Sequence, residues 1–237
     1  MIEALAREGV YRSQFETGNS NGGLTAHPGG DRWYWESRIF GAAYDDVESS
    51  QRPKYGALNH LGYATGGSPR FGSCHLRMRN QVLSRSTFSY PDSYFDPTNF
   101  GVADRMGLIT LATENDPSLD ELDNYIEAHV HGPLILVEDV EAAVFDSSYR
   151  DTEIETAATK LGCPIQWHSG FRMCANRISE CVSFRGQDAA DMAASLVENG
   201  VLTPRQIGLA RKSYGADQQL LKRVWHCVAK FGSSHIL

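Results

Sequence analysis

The chain has no run approaching the roughly 18 apolar residues that a membrane-spanning helix needs. It has no CxxC pair, and its five cysteines (Cys74, Cys163, Cys174, Cys181 and Cys227) are odd in number. That usage predicts reduced thiols in a cytosolic setting and excludes a disulfide framework or a zinc ribbon. A basic excess is also missing. Lys and Arg number 22 against 29 Asp and Glu, a formal charge of −7, so general nucleic-acid binding is not expected. The first residues show no apolar core of a signal peptide, so any export is expected to use an unconventional route. GxGxxG, Walker GxxxxGK[ST] and HExxH are all absent, which removes the standard dinucleotide, nucleotide-loop and zincin readings.

What is present is an ordinary soluble composition: 41% hydrophobic and 22% charged residues over 237 positions, enough for a real core. The 22 glycines favour a loop-rich fold. Apolar spacing predicts a short helix at 2–8 with Ile2, Leu5 and Ala6 on one face, then a strand at 10–15. A loop of turn formers follows at 16–23, a helix is expected at 32–44 and a loop at 51–57. Strands are predicted at 71–78, 86–90, 126–131, 140–146 and 165–168, with loop at 91–101. Helices are predicted at 104–112, at 152–161 and, in the last third, at 188–198, from Thr203-Pro204 onward and at 217–230. The pattern is α+β: one domain with a mixed body to about residue 185 and a helical extension over about 186–237.

The segment with most chemistry is Glu127-Ala128-His129-Val130-His131. Side chains alternate along a strand, so Glu127, His129 and His131 share one face. Three ionisable groups on one face suggest a cleft, whereas the blander alternative is a half-exposed polar strand face. The His129/His131 pair is also an HxH pattern, which points to a metal-dependent hydrolase with Glu127 and His168, His75 or His27 as further ligands. Arg12, followed by a loop containing Asn21, Gly22 and Gly23, offers a fork for phosphate beside backbone that a ligand can approach. Ser86-Thr87-Phe88-Ser89 supplies a hydroxyl-rich strand.

In order, Arg12, the Ser86–Ser89 hydroxyls and Glu127 resemble the Arg–Ser–Glu signature of mono-ADP-ribosyltransferase toxins. Longer motifs carry a second resemblance. They are Tyr11-Arg12-Ser13-Gln14-Phe15-Glu16-Thr17-Gly18, Ser20-Asn21-Gly22-Gly23, Arg70-Phe71-Gly72-Ser73-Cys74, Glu127 to Gly132, and Trp167-His168-Ser169-Gly170-Phe171-Arg172. Together they resemble a bacterial and fungal family, long of unknown function, that includes the CteC-type effectors, which ADP-ribosylate a threonine of host ubiquitin. The likeness covers roughly residues 10–180.

The resemblance implies two small bent sheets with NAD in the cleft between them. It implies Glu127, aided by His129 or His131, at the reacting ribose. It places Arg12, Asn21, Gly22, Thr87 and Ser89 around the co-substrate, with Trp33, Tyr34 or Trp35 stacking on a ring. It implies a protein acceptor, ubiquitin among the candidates, and delivery as a bacterial effector into the host cytosol. The loop with Tyr94 and Phe95 would meet that acceptor. The sequence departs from the toxin pattern twice: the usual ExE strand reads Glu127-Ala128-His129, and Ser-Thr-Ser reads Ser86-Thr87-Phe88. A non-catalytic NAD- or protein-binding module is the remaining class.

Overall fold

The computed structural model describes residues 2–18, 24–114, 119–213 and 217–232. Asn21 and Gly22 lie outside the described residues. The fold is α+β, with small sheets and helices on their flanks. The first sheet contains β1 (Lys54–Leu58), β3 (Ser86–Tyr90), β4 (Asn99–Val102) and β5 (Ile126–Val130), in the order β1-β5-β3-β4 and antiparallel throughout. A second sheet orders β2 (His75–Met78), β6 (Val140–Asp146) and β7 (Ile165–His168), with β6 and β7 parallel. A small ribbon pairs β8 (Met173–Cys174) with β9 (Val201–Leu202).

The helices are α1 (Ile2–Glu8), α2 (Gln14–Thr17), α3 (Asp31–Ile39), α4 (Leu108–Glu114), α5 (Leu136–Asp139), α6 (Glu153–Ala158), α7 (Ile178–Arg185), α8 (Gln187–Leu196), α9 (Pro204–Ser213) and α10 (Gln218–Phe231). Three apolar clusters hold these elements. Ile126 and Ala128 of β5 pack with Phe88, Tyr90, Leu108 and Ala112. Val130, at the other end of β5, joins Leu136, Val140, Phe145 and Leu161, and the predicted face of α1 (Ile2, Leu5, Ala6) closes over that cluster. In the last third, Val224 and Val228 of α10 meet Phe171, Met173, Cys181, Ala193 and Leu202. Trp225 Nε1 donates to the Pro69 carbonyl at 2.9 Å, which ties the helical extension to the Arg70–Cys74 motif. No helix among the described residues is long and apolar enough to cross a membrane.

Several expectations are corrected. Residues 10–15 do not form a strand. Only Val10 makes a bridge, to Ile135, and Ser13 then starts α2 through a reciprocal capping box. Ser13 Oγ accepts from the Glu16 amide at 3.1 Å, and Glu16 Oε2 accepts from the Ser13 amide at 2.7 Å. The loop at 51–57 conceals β1, whose Lys54 is buried. Its ammonium donates to the carbonyls of Ser50, Arg52 and Gly132, so no hydrophobic alternation announces the strand. The loop at 91–101 contains β4, an exposed edge. The strand at 71–78 shortens to β2 after a turn over Pro69–Phe71. Helix α7 was not predicted, because its apolar residues do not gather on one face.

Candidate functional site

Strand β5 lies between β1 and β3, and all five of its residues are buried. In register, His129 sits opposite Tyr55 on one side and Thr87 on the other, while Glu127 sits opposite Ala57 and Ser89. Directly opposed residues share a face, so Tyr55, Thr87, Glu127 and His129 project together. The predicted shared face of Glu127 and His129 therefore holds, in a strand far drier than a half-exposed one, and Thr87 Oγ1 links the half-buried His131 to His129.

Helix α3 roofs this face. Its inward residues are Arg32, Trp35 and Glu36, at the i, i+3, i+4 spacing of one helical stripe, and two of the three are charged. The Trp35 ring lies 5.3 Å from the His129 ring, and Phe40, just past the helix, lies 5.6 Å from His129 and 5.3 Å from His131. Glu36 is held by Arg52 Nη1 at 2.6 Å and by the Tyr55 hydroxyl at 2.7 Å. The Arg32 guanidinium stacks 4.1 Å above the Tyr55 ring. This buried ion pair and stack fix α3 on β1.

Polar contacts then run without a break across the site. Arg32 Nη1 donates to Ser93 Oγ at 2.7 Å, and Ser93 Oγ donates to Glu127 Oε2 at 3.0 Å. His129 Nε2 lies 3.1 Å from Glu127 Oε1. Thr87 Oγ1 lies 3.1 Å from His129 Nδ1 and 2.9 Å from His131 Nε2, and the Tyr44 hydroxyl lies 2.6 Å from His131 Nδ1. Burial works to raise the pKa of Glu127. The hydrogen bond and charge of His129, the charge of Arg32 and the Ser93 bond outweigh burial, and the carboxyl ends below its ordinary value. Burial, with His129 and Arg85 nearby, pushes the His131 imidazole down.

Two cavities flank this string. One, about 590 Å³, is lined by Asp31, Trp35, Arg38, Ser93 and Tyr94, so Glu127 lies one hydrogen bond beneath its Ser93 wall. The other, about 340 Å³, is lined by Arg85, Thr87, Val102 and His131. Three buried polar atoms beside the string have no partner among the described residues: Arg32 Nε, Trp35 Nε1 and Ser89 Oγ. Unsatisfied buried donors are costly, and such atoms next to a cleft suit a ligand that supplies acceptors.

Arg12 and His168 take no part in this string. Arg12 is exposed, with its Nε 2.8 Å from Glu8, and the guanidinium whose charge acts on Glu127 belongs to Arg32. The metal-ligand expectation meets an obstacle in the donors themselves. Both ring nitrogens of His129 and of His131 are already in hydrogen bonds. His168 is likewise engaged, with Nε2 2.7 Å from the Ser73 carbonyl and Nδ1 accepting from the Gly170 amide at 3.1 Å. Among the described residues no group of three His, Cys, Asp or Glu side chains is arranged to hold a metal. The His168 contacts join the Arg70–Cys74 and Trp167–Arg172 motifs in a structural junction.

Sequence reasoning missed Arg32, Glu36, Arg52, Tyr55, Ser93 and Tyr44. The available signal was the Arg32/Glu36 pair, charges of opposite sign four residues apart inside an aromatic helix.

The fold and site define an α+β protein with a buried, hydrogen-bonded carboxylate one hydrogen bond beneath a cleft. The chain belongs to the family described as "Protein of unknown function (DUF3626)", whose model matches residues 1–116 and 108–231. No curated protein matches it.

Proposed function

We propose that the chain is an NAD-consuming mono-ADP-ribosyltransferase acting on a protein acceptor, with a threonine of ubiquitin as the first candidate, and that it works as an effector inside a host cell. The observation that carries this reading is Glu127, a carboxylate almost wholly buried, held by Ser93 and His129 and one hydrogen bond beneath the Ser93 wall of the larger cavity. Breaking the bond between ribose C1′ and nicotinamide builds positive charge on the sugar, as in glycoside hydrolysis. A fixed carboxylate in a dry site opposes that charge far better than one in water. Neutral nicotinamide leaves with the bonding electrons, the acceptor oxygen bonds C1′, and the hydroxyl proton is lost.

In this reading Glu127 faces the ribose, and Ser93 and His129 hold it in place. Arg32 takes the part expected of Arg12. Its Nε–H and the Trp35 Nε1–H, both without partners, suit acceptor oxygens such as those of a carboxamide or a phosphate. The larger cleft is in the size range of a small-molecule site. The Ser93 to Phe95 turn places exposed Tyr94 and Phe95 at its rim, where a protein acceptor would dock. The two bent sheets of the transferase fold would correspond to the β1-β5-β3-β4 and β2-β6-β7 sheets.

The test is incubation with NAD and either ubiquitin or a eukaryotic lysate, read by intact mass. An ADP-ribosyl increment on ubiquitin, localised to a threonine, supports the full reading. An increment on other lysate proteins only removes ubiquitin. NAD left intact under all conditions overturns the proposal.

A further inference from the structure

The string from Glu127 to Tyr44 has more contacts than a carboxylate needs for support, and their donor and acceptor roles are nearly forced. As a carboxylate Glu127 only accepts, from Ser93 Oγ on one oxygen and from His129 on the other, so His129 Nε2 carries a proton toward it. Burial and the nearby Arg85 charge disfavour a doubly protonated His131, and with His131 neutral two arrangements satisfy every remaining contact. In the first, His129 is neutral and its Nδ1 accepts from the Thr87 hydroxyl. Thr87 accepts from His131 Nε2–H, and His131 Nδ1 accepts from the Tyr44 hydroxyl. In the second, His129 is an imidazolium whose Nδ1–H donates to Thr87. The Thr87 hydroxyl turns to His131 Nε2, and His131 Nδ1–H donates to the Tyr44 oxygen. The two arrangements differ by one proton.

We infer that Tyr44, His131, Thr87 and His129 form a proton relay that sets the net charge of the Glu127–His129 pair from solvent, and thereby switches the site. The relay balances without rotating any group. A proton from water adds to the Tyr44 oxygen, and the Tyr44 proton passes to His131 Nδ1. The His131 Nε2 proton passes to Thr87, and the Thr87 proton passes to His129 Nδ1. Run backward, the same hops return one proton to water. The pair has net charge −1 in the first arrangement and 0 in the second.

The outer end is open, since Tyr44 is half-exposed and His131 and Thr87 line the smaller cavity. The inner end is closed, with His129 wholly buried beneath Trp35, Phe40 and Tyr55. Other charged and titratable groups bear on the string from each side. Arg85 donates to the His131 carbonyl at 2.6 Å, Arg32 and Ser93 face Glu127, and Asp92 lies near Glu127 on the Tyr125 side. Glu36 acts on Tyr44 and Tyr55. The switch rests on the proposed role of Glu127: the −1 state opposes the oxocarbenium charge, and the neutral pair does not.

The experiment is ¹⁵N NMR of the imidazoles of the free protein across a pH titration, beside NAD consumption over the same range. The expected result is one shared midpoint, at which His129 gains its Nδ1 proton, His131 changes from the Nε2–H to the Nδ1–H tautomer, and NAD consumption falls on the acid side. Thr87→Val keeps the shape and removes the hydroxyl, so His131 should lose its link to His129. Thr87→Ser should restore it. A His131 tautomer change that survives Thr87→Val, or separate midpoints in the wild type, overturns the relay. The NMR readout needs no co-substrate, so linked titration in a chain that never consumes NAD would keep the relay and sink the proposed function. NAD consumption without linked titration would do the reverse.

Discussion

Removing Arg52 should unfold the roof of the site in a pH-dependent way. Glu36 is wholly buried and Arg52 nearly so, with their ion pair at 2.6 Å. Breaking a buried pair by truncating one partner typically costs about 3–5 kcal/mol, because a buried charge is left behind. Here Glu36 keeps the Tyr55 hydroxyl and the charge of Arg32, which places Arg52→Met near the lower end, at about 3 kcal/mol. Burial already raises the Glu36 pKa in the wild type, and losing Arg52 raises it further. A carboxyl whose folded pKa lies above its unfolded value is penalised once pH climbs past the unfolded value. The loss is complete only above the folded pKa. The deficit of Arg52→Met against wild type should therefore be large at neutral pH and shrink as pH falls toward the ordinary carboxyl range, where Glu36 is protonated and needs no cation. Adding Glu36→Gln removes the stranded charge and keeps an acceptor for Tyr55, so the double variant should recover most of the loss. Urea denaturation of the three variants at neutral and mildly acidic pH measures this. An equal deficit at both pH values, or no recovery in the double variant, would refute the reasoning.

Other outcomes follow from the same structure. Gly170 has φ +89°, and a Cβ there would lie 2.6 Å from Ser147 Oγ and 2.9 Å from Asp146 Oδ1, so Gly170→Ala should cost about 2 kcal/mol in thermal or urea unfolding. Burial, with Arg185, Arg70 and Lys222 nearby, lowers the His226 pKa to about 3. The unfolded chain thus binds a proton near pH 6.5 that the native chain refuses, and stability should fall as pH drops from 6.5 toward 3, with a shallower acid limb in His226→Gln. Phe95→Ala should reduce protein modification and spare NAD hydrolysis, since its ring is exposed and, unlike that of Tyr94, does not line the larger cavity; a parallel fall in both activities would place Phe95 in the co-substrate cleft. Arg32→Lys should depress NAD turnover, because an ammonium cannot bond Ser93 and stack on Tyr55 as the guanidinium does, while Arg12→Lys should leave it unchanged.

What the sequence disclosed tracks where side-chain period and burial agree. Strand β5 was legible because Ile126, Ala128 and Val130 alternate with Glu127 and His129, and α10 because Leu221, Val224 and Val228 recur at helical spacing. The β1 strand was hidden because it buries a lysine through backbone carbonyls and carries Gly56 at its centre. The roof was hidden for a related reason: α3 turns Arg32 and Glu36 inward, charges that a pattern reading assigns to solvent, and their partners Arg52, Tyr55 and Ser93 come from other segments. Glu127, His129, His131 and Thr87 could be named from sequence because strand alternation and a hydroxyl-rich neighbour suffice for them. Arg12 was named as a phosphate fork on an early strand before a glycine-containing loop, yet that stretch is no strand, and the capping box of Ser13 and Glu16 starts a helix there. Tyr44 is 87 positions from the histidine it touches, a separation no local pattern spans.

The most direct measurement of the central claim is the rate of NAD consumption and protein modification by Glu127→Gln against wild type. Gln is nearly isosteric, can accept from His129 and keeps the Ser93 contact, so the fold should hold, with unchanged circular dichroism and melting close to wild type. The negative charge is lost, and the removal of one such electrostatic group lowers rates by about 10²–10³. The account predicts a folded protein with both activities reduced by that order. A folded Glu127→Gln variant that turns over NAD at the wild-type rate would contradict it.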